Sequence, residues 1–125
     1  MWPAWFPASC PPTDAVPASG VFYRLAANNP PVEEDFRSWM EEEMLGLRRR
    51  TWSVGRDCQA SACSVFDDEA EVLRLREASG ATRSRSVVSG DITGSGVMKH
   101  TPSGRNASHH SWWRPLNDTA WTRFA

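Results

Sequence analysis

Val21-Phe22-Tyr23-Arg24-Leu25, followed by Ala26-Ala27-Asn28-Asn29-Pro30-Pro31, is the stretch on which the fold turns. The first five residues are β-branched, aromatic and aliphatic around one arginine, a composition that suits a strand. Asn-Asn-Pro-Pro then breaks the extended chain, and its prolines suit the first turn of a helix. From Val32 the apolar residues Phe36, Trp39, Met40 and Met44 fall on one stripe at helical spacing. Acids occupy the other side and favour the helix N-terminus through its dipole. Gly46 is a natural stop, so the pattern predicts a helix over 32–45.

Downstream, Cys63-Ser64-Val65-Phe66 reads as a second short strand. Asp67 is placed to cap a helix over 68–78, with Val72, Leu73, Leu75 and Ala78 facing inward. Glycines and polar turns then separate short strand candidates at 86–88, 91–93, 96–98, 111–113 and 120–124. The expected fold is α+β, a small and mainly antiparallel sheet with two helices. Upstream, residues 1–20 hold five prolines and one charged residue, Asp14. They predict a flexible, disordered Pro-rich leader preceding a single domain over 21–125, although Trp2, Trp5 and Phe6 are large enough to dock on it.

Composition bounds the functional classes. With 125 residues, 40% hydrophobic and 23% charged, the chain suits one globular core. A mean hydropathy of -0.51 and no long apolar run exclude a membrane-spanning helix. The net charge of -1 argues against a dedicated nucleic-acid binder, because phosphate recognition needs a basic excess. The charge is uneven: residues 32–45 carry six acids against one base, whereas residues 46–125 carry twelve Lys/Arg against eight Asp/Glu. The acidic stretch 32–45 reads as a solvated helix face or as a contact for a basic protein partner. A nucleic-acid module built on Arg48, Arg49 and Arg50 is the third and least favoured class, its bases being offset by neighbouring acids.

Cys10, Cys58 and Cys63 are odd in number and lack the spacing of a disulfide framework. With an N-terminus lacking the basic region and continuous apolar stretch of a signal peptide, they point to a reducing, cytoplasmic setting. Cys58 and Cys63 form C-x4-C, unlike the paired spacings of structural zinc, so no metal is expected. Cys58 or Ser64 with His109 would make a nucleophile and base if the fold brought them together. Residues 90–96 are glycine-rich but lack the strand–loop–helix setting of a dinucleotide fingerprint, and read as a turn-rich hairpin.

Ser108-His109-His110-Ser111-Trp112-Trp113-Arg114 is the densest cluster of chemistry-bearing side chains. In a strand, His110 and Trp112 share one face, and His109, Ser111 and Trp113 share the other. Two arrangements satisfy the segment: both tryptophans in the core, or one face lining a cleft where His110 and Trp112 meet a planar ligand. Arg24 stands inside an apolar run, where a charge needs water, a partner or an anionic ligand to offset its desolvation.

The order of Tyr23-Arg24 on a strand, Asn-Asn-Pro-Pro, helix, Ser64-Val65-Phe66 on a strand and an acid-capped helix resembles small bacterial domains of ADP-ribosyltransferase-like build, including RES-type NAD-degrading toxins. Residues 22–25 and 50–72 carry the similarity. It implies NAD as a substrate rather than a resident cofactor, with Arg24 and Ser64 as catalytic residues and Tyr23, His110 and Trp112 contacting the ligand. The late acidic residue of that pattern has no counterpart here, since the last third of the chain offers only Asp91, Asp118 and the histidine pair. Beside the enzyme stands a catalytically inactive, immunity- or antitoxin-type module of the same fold.

Overall fold

The computed structural model describes residues 1–125. Six strands form one antiparallel sheet: β1 (Val16–Pro17), β2 (Val21–Ala26), β3 (Cys63–Phe66), β4 (Ser86–Asp91), β5 (Val97–His100) and β6 (His109–Trp113). Their spatial order is β1-β5-β6-β3-β2-β4. Only residues 18–20 separate β1 from β2, yet β1 pairs with β5 and β2 with β4, so the sheet curls strongly. Backbone bonds from Ala18 to Gly96, from Gly94 to Ala18 and from Ile92 to Gly20 run the edges together.

The side chains of Phe22, Ala26, Cys63, Val65, Val88 and Trp112 fill the concave side, closed by Phe36, Ala120 and Phe124. Trp112 stacks on Phe124 with ring centroids 6.1 Å apart, and its indole N–H donates to the Ser95 carbonyl at 2.8 Å. The opposite side carries Ser64, Phe66, His109, Ser111 and Trp113, as the register of β3 with β6 requires.

The small α+β fold with a mainly antiparallel sheet is the one expected from sequence, but four local elements differ. The single helix over 32–45 is two pieces, a 3-10 turn (Glu33–Phe36) and α1 (Trp39–Met44). Arg37 is extended, and Ser38 starts the new helix with a reciprocal box: Glu41 N–H donates to Ser38 Oγ at 3.1 Å, and Ser38 N–H to Glu41 Oε1 at 3.0 Å. That local cap ends the stripe, leaving Phe36 and Met40 buried while Trp39 and Met44 reach solvent.

After α2 (Asp57–Ala60) and β3 comes α3 (Glu69–Glu77), capped by Asp68 rather than Asp67, with Val72 buried but Leu73 exposed. The segment expected as a strand at 120–124 is a 3-10 turn (Ala120–Arg123), after which Ser89 and Ala125 exchange backbone bonds at 3.0 Å. Of residues 90–96, Gly90 and Asp91 complete β4, and 92–96 join it to β5, which is not its partner, so the segment is a strand end and a crossover and not a hairpin.

The leader also differs from expectation. Trp2 stacks on Phe6 at 5.9 Å, the Leu116 N–H donates to the Met1 carbonyl at 2.7 Å, and Ala18 is buried. Cys10 and Cys58 form a disulfide of 2.07 Å across 48 residues, leaving Cys63 as the free cysteine. This crosslink and the backbone bonds of Met1 and Ala18 hold residues 1–20 against the body, overcoming the extended bias of the prolines. The cysteine count therefore no longer argues for a reducing compartment. No helix is long and apolar enough to cross a membrane.

Candidate active site

The ladder between β2 and β3 is a single registered pair, Tyr23 with Phe66. Beyond it the strands part, and the guanidinium of Arg24 enters the gap. Its Nη1 donates to the Ser64 carbonyl, a bond that a neighbouring strand would otherwise supply. Nε and Nη2 donate to the Asp35 carbonyl at 3.1 and 2.8 Å, and the charge lies 5.4 Å from the Phe36 ring. Arg24 thus solves its desolvation with backbone carbonyls instead of water. The Asp35 carboxylate in turn accepts from the Ala27 and Val32 amides, at 3.1 and 2.9 Å, shaping the Asn-Asn-Pro-Pro turn.

A cleft of about 670 Å³ opens where the strands part, lined by Arg24, Ser64, Thr101, His109 and the first turns of α1. His109 Nε2 lies 2.9 Å from Ser64 Oγ. His109 Nδ1 lies 2.9 Å from the Thr101 carbonyl, which can only accept, so Nδ1 carries the hydrogen. Nε2 is then a lone pair, and Ser64 O–H donates to it. Thr101 Oγ1 is 2.9 Å from both Nδ1 and Ser111 Oγ, completing a hydroxyl chain behind the ring. Burial pushes the His109 pKa below its usual 6.5, the Thr101 carbonyl opposing and the neighbouring His110 adding to the fall. The imidazole is therefore neutral at pH 7 and poised as a base.

Behind the pair, the buried Glu71 of α3 accepts from the Ser108 amide and hydroxyl at 3.0 Å, pinning the residue before His109. At the rim, Arg48 lies 4.6 Å over Trp39, Trp39 stands 6.2 Å from Trp52, and Arg50 lies 4.8 Å over Trp52. Arg37, Arg56 and Arg85 also line the cleft and make no side-chain bond within the chain. Glu34 is the lining carboxylate without a partner, since Glu42 pairs with Arg48 at 2.9 Å.

The expected site residues divide. Arg24 and Ser64 both reach the cleft, but from opposite sides of the sheet. His110 faces the concave side, 5.0 Å from Phe22 and 4.8 Å from His100. Trp112 is 0% exposed, so it cannot wall a ligand site; the core arrangement of the tryptophans is the one adopted. Tyr23 shares the Ser64 side of the sheet but does not line the cleft. Cys58 is spent in the disulfide and is no nucleophile. Thr101 and Glu71 were not legible as functional: one follows a strand, the other looks like an ordinary solvent-facing helical acid. Glu41 is used in the α1 cap and Glu42 and Glu43 pair with Arg48 and Arg50, so the acidic stretch is largely satisfied within the chain.

Compared with known proteins, no family model, no curated protein and no solved structure matches this chain.

Proposed function

We propose that the cleft binds NAD and that the chain acts on the nicotinamide–ribose bond as a glycohydrolase or ADP-ribosyltransferase-like protein. The observation that supports this most is the Ser64–His109 pair opening into a cleft whose free cations outnumber its free acids. Arg37, Arg56 and Arg85 would donate to the pyrophosphate. His109 would accept the proton of the incoming water or acceptor hydroxyl, held by Ser64, as the C–N bond to nicotinamide breaks. Glu34, the lining carboxylate without a partner, would offset positive charge on the ribose.

Thermal unfolding of the purified protein with and without millimolar NAD tests the binding step, because a ligand of the folded state alone raises Tm by mass action. A rise accompanied by nicotinamide release that Ser64→Ala and Glu34→Gln abolish would support the enzyme. A rise without release would favour an inactive binding module, and no shift at saturating concentrations overturns the proposal. A cytoplasmic setting would require the Cys10–Cys58 bond to persist against cellular thiols, which thiol alkylation in fresh lysate measures.

A further inference from the structure

We propose that Ser64 is a covalent nucleophile for activated, negatively charged esters, with His109 as its base, an activity independent of NAD. Two structural features converge on that hydroxyl. The Thr101 carbonyl fixes the hydrogen of His109 on Nδ1, so the imidazole presents its lone pair to Ser64 Oγ at 2.9 Å. A backbone carbonyl thereby fills the orienting role that a carboxylate fills in a serine triad. Ser64 opens into the 670 Å³ cleft, where an electrophile can reach it. Arg24, on the other side of the sheet, donates to the Ser64 carbonyl and so anchors the nucleophile's own peptide. The unpaired lining cations Arg37, Arg56 and Arg85 select an ester bearing a carboxylate or phosphate.

In the reaction the Ser64 Oγ–C bond forms as the proton passes from Oγ to His109 Nε2. The C–O bond to the leaving alcohol then breaks, and Nε2 returns the proton to that alcohol. Water, deprotonated by the same Nε2, attacks the acyl-serine; the free acid leaves and the proton returns to Ser64. No oxidant, metal or other co-reactant is needed.

The test is labelling of the intact, oxidised chain with a fluorophosphonate probe, mapped by peptide mass spectrometry, alongside hydrolysis of neutral and anionic p-nitrophenyl esters. Expected are one label per chain on Ser64, none after denaturation, and faster turnover of the anionic ester. His109→Gln, shown folded by circular dichroism, should slow labelling by about 100-fold or more. If His109→Gln does not fold, the pH profile of labelling in the unaltered chain decides: the rate must fall at acid pH with one group, His109, whose surroundings include His100, His110 and Glu71. No label on Ser64, labelling undiminished in folded His109→Gln, or a flat pH profile overturns the proposal.

Discussion

His109 Nε2 stands 2.9 Å from Ser64 Oγ although 45 residues separate them, because β6 pairs with β3 in the register that sets Ser64 opposite Ser111. His109, two residues earlier on the same face, then lies diagonally across from Ser64. The pair is thus a product of strand register, and a slip of one residue would send the two side chains to opposite faces.

The depressed His109 pKa makes stability depend on pH. The unfolded chain takes up this proton near pH 6.5, whereas the buried ring resists it to lower pH. Stability from this group is therefore complete above pH 6.5 and falls as pH drops from there through the folded value. Urea unfolding at pH 7.5 and 5.5 should show a lower midpoint at the acid pH, with a smaller difference in His109→Gln. Equal pH slopes in both proteins would contradict the assignment.

The Cys10–Cys58 crosslink closes a long loop and holds the leader. Paired Cys10→Ser and Cys58→Ser substitution should cost about 4 kcal/mol by loop entropy and expose residues 1–20 to proteolysis first. Differential unfolding and timed trypsin or elastase digestion measure both effects; an unchanged Tm and digestion pattern would show that the segment is held without the crosslink.

Arg24 carries a structural load as well as its assigned place in the cleft. Arg24→Met leaves the Ser64 and Asp35 carbonyls without their donors and should cost about 2–4 kcal/mol. Arg24→Lys, with one compact ammonium in place of a fork, should recover only part of the loss. A change below about 0.5 kcal/mol in urea unfolding of Arg24→Met would place the guanidinium in water instead.

Two glycines give a contrast. A Cβ on Gly96, whose φ is +74°, would sit 2.2 Å from the Trp113 carbonyl oxygen, whereas one on Gly80 meets nothing within 4 Å. Gly96→Ala should destabilise by about 3 kcal/mol or prevent folding, while Gly80→Ala should be neutral or slightly stabilising. Equal Tm values for the two variants would mean that the crossover after β4 is not built as described.

Local signals were legible where local forces decide. The strand expected at 21–25, the strand Cys63–Phe66 and the helix beginning near Asp68 follow from residue type, capping and period. The 32–45 helix failed because Ser38 and Glu41 close a reciprocal cap that interrupts an otherwise continuous apolar stripe. The segment 120–124 failed because its apolar residues turn Phe124 into the core from a 3-10 turn, a placement decided by distant β4. In the site, Arg24 and Ser64 were named by type and by resemblance. The Ser64–His109 pairing stood only as a condition on the fold, and Trp112 was open between core and ligand.

By itself the sequence determined the α+β class, most strand positions and the short list of side chains able to do chemistry, since propensity, caps and turn residues act over a few positions. Only the tertiary structure decided which of them meet: Ser64 with His109, Arg24 with two carbonyls, Cys10 with Cys58, and Trp112 with the core. Those pairings depend on strand register, sheet curvature and loop closure, which are set by the combined burial of residues far apart in the chain and not by any neighbour in sequence.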